Sequence, residues 1–316
     1  MLKCGGFFCT KRQKTYPKPA LSFKQQARRL LDRGLIAAGE DVIASCLKAV
    51  NYYRLSAYWY PFKVTDPVSG VESFAPNTSF ETIWRRYSFD RELRLLVMDA
   101  LERVEVSILR TLMVEQFALK YGPFGYTNIK NFSPEFLHSD HSRLLQEIQD
   151  AVSRSKEEFI SRFRGKYTNE TYLPLWIVVE VMTYGQLFTL FRNLNRAEQQ
   201  TLSKQFGLYP PVLESWLHTL NFIRNACAHH ARLWNRELPI RPFIPRARHR
   251  PEWHTPYHFD NRRMFTVLTL LRYLLRHIDP KSDWKNKLET LLQAYPEIPL
   301  TGMGFPANWK DNAIWK

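Results

Sequence analysis

The chain has 316 residues, is 45% hydrophobic and 14% aromatic, and carries a formal net charge of +15 at pH 7. It can bury a core in one large domain or two small ones, and its positive excess is the footprint of a nucleic-acid binder, with a plain basic protein or one drawn to anionic membrane as the other readings. No run of about 18 apolar residues occurs, so no membrane span is expected. Cys4, Cys9, Cys46 and Cys227 do not amount to a disulfide framework in a chain this long, which points to a reducing, cytoplasmic compartment.

Residues 1–20 read as a disordered basic tail closed by Pro17 and Pro19. Lys3, Lys11, Arg12, Lys14 and Lys18 flank no continuous apolar stretch, which argues against a signal peptide. Ser22 is the N-cap signal of a helix to about Arg33, with Gly34 as its stop, and a second helix covers about 40–53. Tyr52, Tyr53, Tyr58, Trp59, Tyr60 and Phe62 read as a packing knot rather than a base-stacking surface. With Pro67, Gly70 and Pro76, residues 63–78 read as a loop or short hairpin. Residues 21–75 thus form an N-terminal helical extension.

The main domain is expected over 76–295. Thr78 or Ser79 caps a long helix whose apolar positions Phe89, Leu93, Leu96, Ala100, Val104 and Ile108 are three and four apart, and which stops at Gly122-Pro123. An aromatic-rich loop fills 122–135. Helices are predicted near 135–164, 174–195, 196–206, 210–235, 260–278 and 281–294. The segment 174–195 is apolar nearly all round and reads as the central core helix. Glu180 within it either faces a polar edge or pairs with Arg224. The tail 296–316 is irregular, with Phe305, Trp309 and Trp315 placed to dock it. The pattern predicts an all-α bundle. There is no phosphate-cradling glycine loop and no zinc-ligand pattern, so neither cofactor nor metal is expected.

The densest chemistry lies in Ile223-Arg224-Asn225-Ala226-Cys227-Ala228-His229-His230, where an arginine, an asparagine and a histidine have the spacing R-N-x-x-x-H. Arginine is a fixed cation matched to phosphate, and histidine exchanges a proton near neutral pH. The spacing alone is weak, since Arg272 and His277 repeat it by coincidence. On the helical wheel Arg224 falls within the apolar stripe Leu213, Trp216, Leu217, Leu220, Ile223 and Cys227. Two readings stay open there: a structural arginine in a buried ion pair, or one turned to a ligand or partner. Asn225, one turn before His229, is placed to orient the imidazole. The segment 239–263 interleaves prolines with Arg241, Arg246, Arg248, His249 and Arg250. It reads as a phosphate-gripping loop or, in the bland alternative, a solvated one.

The stretch Arg224 to Arg236 resembles the signature of the Abi D/F-type abortive-infection proteins of bacterial phage resistance. Further blocks are similar in order: Asn51 to Phe62, Thr78 to Glu81, Tyr87 to Arg94, Ala100 to Glu105, Pro174-Leu175-Trp176 with Glu180 and Gly185, and Phe206-Gly207-Leu208. Ala57 stands where the family pattern has glycine. The resemblance covers about 20–245 and implies a HEPN-type helical bundle. It implies a metal-independent endoribonuclease of antiphage defence, with Arg224, Asn225 and His229 as catalytic residues. His230, Arg232, Arg236, Arg241, Arg246, Arg248 and Arg250 are the RNA-binding candidates. The alternative is a non-catalytic RNA-binding or partner-binding component of a defence or toxin–antitoxin system. The implied partners are substrate RNA, a regulatory structured RNA and a second copy of the chain. Arg224 and His229 sit about 140° apart on a regular helix, and a two-fold homodimer would join two such motifs, with the apolar stripe as interface as well as core.

Overall fold

The computed structural model describes residues 19–316. The basic tail expected over 1–20 lies outside these except for its last two residues, as do Cys4 and Cys9. The chain divides into two compact units, one ending at Tyr87 and one formed by Ser88–Lys316. The sequence reading put that boundary at 75/76.

In the first unit, α1 (Phe23–Asp32) starts at a capping box: Ser22 Oγ accepts from the Gln25 amide and the Gln25 side chain accepts from the Ser22 amide. It packs on α2 (Glu40–Val50). After α3 (Tyr52–Trp59), strands β1 (Lys63–Thr65) and β2 (Glu72–Phe74) pair antiparallel, with Val64 opposite Ser73. The aromatic knot forms as expected. Trp59 meets Tyr52 and Phe74 edge-on at 4.9 and 6.3 Å, and Tyr58 meets Tyr87 at 5.6 Å. Tyr53 touches it only through the edge of Tyr52, at 5.8 Å, and both Tyr53 and Tyr60 are exposed.

The long helix is α4 (Phe80–Val104), wide π-type turns over Glu105–Leu112, then α5 (Met113–Tyr121), stopped by Gly122 at φ +79°. Of the expected stripe, Phe89, Leu93, Ala100, Val104 and Ile108 are buried, whereas Leu96 is half-buried and Val97 takes the core position beside it. α6 (His138–Arg154) and α7 (Glu158–Lys166) follow.

The expected core helix over 174–195 is not one helix. α8 (Leu175–Val178) gives way to a 3-10 turn at Val179–Val181, an extended Met182, and α9 (Tyr184–Arg192). Two contacts cause the break. Thr183 and Gln186 form a capping box that starts a new helix. Arg110, paired with Glu105 at 2.6 Å, donates to the carbonyls of Val179 and Met182 and so takes acceptors a continuous helix would use. Glu180 is exposed and does not meet Arg224.

α10 (Arg196–Gln205) leads to α11 (Pro210–Ala228), which packs on α9, α10 and α12 (Met264–Ile278). The centre of this unit is α12, buried from Met264 through Leu271 and again at Tyr273–Leu275. Arg272, expected on its solvated side, is half-buried, and its Nε lacks a partner. After α13 (Trp284–Ala294) the tail docks as expected: Phe305 and Trp315 lie 4.5 and 5.8 Å from Phe265, and Trp315 Nε1 donates to Thr269 Oγ1 at 3.1 Å.

Candidate functional site

The helix predicted over 210–235 ends at Ala228, so His229 is its C-cap and His230, Arg232 and Arg236 lie beyond it. The ending is a Schellman motif. The amide of Ala231 bonds the Ala226 carbonyl at 2.8 Å and that of His230 bonds the Cys227 carbonyl at 2.9 Å. His230 supplies the left-handed residue, φ +56°, at a position usually given to glycine. The sequence offered no glycine there, which is why the stop was not read.

A buried carboxylate holds the chain on its new course. Asp90, with no exposed surface, accepts the Trp234 amide at 2.6 Å, the Leu233 amide at 3.1 Å and Arg94 Nη1 at 2.5 Å. Arg94 is itself only 6% exposed. A buried ion pair costs desolvation, which is offset here because its carboxylate has three donors. Sequence reasoning recorded Asp90 and Arg94 within a block but gave them no role. An acid and an arginine four apart on the burying face of α4 are the signal that points to them.

At the end of α11, Arg224 is half-buried, and its guanidinium has no hydrogen-bond or ion-pair partner among the described residues. It is therefore no structural ion pair. Asn225 and His229 are exposed. The Asn225 carbonyl accepts the His229 amide at 3.0 Å, and no hydrogen bond joins their side chains among the described residues. The carbonyl end of a helix repels anions. A phosphate brought here must therefore be held by side chains, and three cations are at hand. Arg224 is one. The others are Arg232 and Arg236, whose Nη1 donates to the Arg232 carbonyl at 3.2 Å. Cys227 is no nucleophile, since burial pushes its thiol up to about 12 against the pull of Arg94.

The basic segment after this end does not project from it. It runs back along α11 as a strap. Arg236 lies 5.0 Å over the Phe222 ring, and the Phe243 amide donates to Ser215 Oγ at 2.9 Å. Trp216 Nε1 donates to the Phe243 carbonyl at 2.8 Å, and the His249 ring lies 5.2 Å from Tyr209. Arg250 Nε donates to the Gly207 carbonyl at 2.9 Å. Gly207 has φ +58°, and a Cβ there would fall 1.5 Å from a guanidinium nitrogen of Arg250. With 19 residues at about 1.5 Å each, α11 is about 28 Å long. Arg246, Arg248 and Arg250 thus belong to its far end, and His230, Arg232 and Arg236 to the end at His229. Arg241, exposed and 3.8 Å from Glu237, lies between.

The apolar stripe of α11 is core alone. Leu213, Trp216, Leu217, Leu220 and Ile223 are fully buried within one chain, so they are not free to serve as interface as well. Among the described residues no cluster of three or more His, Cys, Asp or Glu is placed to hold a metal, and no helix is long and apolar enough to cross a membrane.

The protein is all-α, with a half-buried arginine and an exposed asparagine and histidine at the end of α11. The Abi-like protein family matches residues 45–235, more than half of the chain, and the chain belongs to that family. The match takes in both Asp90 and the R-N-x-x-x-H segment. Membership points to abortive-infection defence. No curated protein and no solved structure matches the chain.

Proposed function

We propose that this chain is a metal-independent endoribonuclease that acts in abortive infection. The observation that carries the reading is the end of α11: Arg224, Asn225 and His229 have side chains with no partner among the described residues, in a chain of net charge +15. RNA brings its own nucleophile, the 2′-hydroxyl beside the scissile phosphate. His229 takes that proton or protonates the departing 5′-oxygen. Arg224 stabilises the charge that builds on the phosphate oxygens. Asn225 positions the imidazole or the phosphate once substrate is bound. DNA lacks the 2′-hydroxyl and is inert. The strap binds the strand away from the cut, and the cytoplasm supplies the RNA.

Two copies complete the site in this reading, since one Arg224 and one His229 diverge on their helix. The contact then uses the outward face of α11, at His218, Asn221, Phe222 and Asn225, because the apolar stripe is occupied. Light scattering at micromolar concentration tests this, and a strict monomer that cuts RNA removes the composite site. The test of function is labelled RNA incubated with the protein in EDTA beside His229→Ala. Cleavage by the unmodified chain alone supports the reading. RNA retention without cleavage favours the second reading, a non-catalytic binder of structured RNA.

A further inference from the structure

A cavity of about 610 Å³ opens at the other end of α11, walled by Arg250 and Glu252 of the strap, Tyr273, Arg276 and His277 of α12, and the docked tail at Ile314. We propose that it is a binding site for a nucleoside phosphate, separate from the groups at Arg224 and His229.

Charge is the first support. Two guanidiniums face one carboxylate, and that carboxylate, Glu252, is 3.8 Å from Arg250. The groups are also held. Arg250 is fixed on the Gly207 carbonyl, and Arg276 Nη1 donates to the Ala313 carbonyl at 2.9 Å. His277 Nδ1 donates to the Tyr273 carbonyl at 2.9 Å, so Nε2 of the neutral ring is an acceptor, suited to a ribose hydroxyl. Each guanidinium keeps further N–H groups for a phosphate.

The second support is an unbalanced neighbour. Arg272, one turn before Arg276 on the same face of α12, is half-buried with no partner for its Nε among the described residues. Burial first and the charge of Arg276 second hold its pKa below the usual arginine value, and the carboxylate of Glu289 offsets only part of that. An anion beside Arg276 relieves that repulsion.

Size and surface then set the ligand. The volume lies within the range of roughly 300–1,000 Å³ typical of small-molecule sites and far exceeds what a lone phosphate fills. The rings of His277 and Tyr273, 4.8 Å apart, and the side chains of Pro251 and Ile314 give a base or ribose apolar faces to lie on. A free mononucleotide and the phosphorylated end of an RNA strand share this chemistry.

The test is calorimetric titration of the full chain with inorganic phosphate, with each ribonucleoside 5′-monophosphate, and with a short RNA bearing a 5′-phosphate or a 5′-hydroxyl. At least one monophosphate should bind saturably and about tenfold or more tighter than inorganic phosphate. Arg276→Glu should weaken it by about tenfold or more, as loss of a charged hydrogen bond implies. His277→Ala removes an exposed ring and should weaken it in the same direction without touching the tail. A preference for 5′-phosphorylated RNA, with competition by the mononucleotide, assigns the site to strand ends. Equal binding of both RNAs assigns it to free nucleotide. Absence of saturable monophosphate binding, or binding that neither variant weakens, overturns the proposal. RNA cleavage is read separately, so a nuclease without this site and a nucleotide site without nuclease activity are distinct results.

Discussion

Two helices of this chain carry a half-buried arginine five residues before an exposed histidine, and they differ in where the helix stops and in what holds the imidazole. On α11 the helix ends at His229, Arg224 has no partner among the described residues, and the imidazole is exposed. On α12 the helix runs on past His277 to Ile278, the imidazole is bonded to the Tyr273 carbonyl, and the Nε of Arg272 is buried. Spacing supplies the residues in both. What separates them is where the helix stops and what holds the chain afterwards: a Schellman turn at His230, then backbone amides clamped by Asp90. α12 has no such clamp.

The largest effect expected is on chemistry. Arg224→Ala and His229→Ala should each lower RNA cleavage by about a hundredfold or more, with the far-ultraviolet dichroism unchanged. Full activity of His229→Ala would end the comparison in favour of neither helix.

Next comes the clamp. Asp90→Ala leaves Arg94 buried without its carboxylate and frees two backbone amides, at a cost of about 3–5 kcal/mol read from denaturant unfolding. A wild-type midpoint would mean that Asp90 does not hold the end of α11.

The strap is expected to give a smaller, graded response. Replacing Arg246, Arg248 and Arg250 together with alanine should lower the log–log salt slope of RNA binding by roughly three units, and Arg246→Ala alone by about one. An unchanged slope removes the strap from the RNA path.

The smallest effect sharpens the contrast from the other side. Arg272→Ala should leave cleavage within about twofold of wild type, because its histidine partner is engaged with its own helix. A loss as large as that of Arg224→Ala would make α12 the active helix.

Periodicity made most helices legible, including the long one closed by Gly122 and the tail docked through Trp315. What the sequence hid was long-range. The break at Val179–Met182 depends on Arg110, some seventy residues earlier in the chain. The stop after Ala228 depends on a histidine in a conformation favoured for glycine, and on Asp90. Arg224, Asn225 and His229 could be picked out by type and spacing, whereas the retreat of the strap along α11 could not. That course is set by Trp216, Ser215 and Gly207, each of which reads alone as an ordinary helix or turn residue.

The retreat of the strap turns one helix into a measure of length. Between His229 and Arg250 lies about 28 Å, the length of α11. A strand that occupies both ends at once must be at least that long. On the function proposed above, shorter RNA fragments would engage one end only and forfeit the counterions released at the other. In a nuclease built this way, the products of a cut are held less firmly than the substrate, and release after cleavage follows from the geometry of α11 alone.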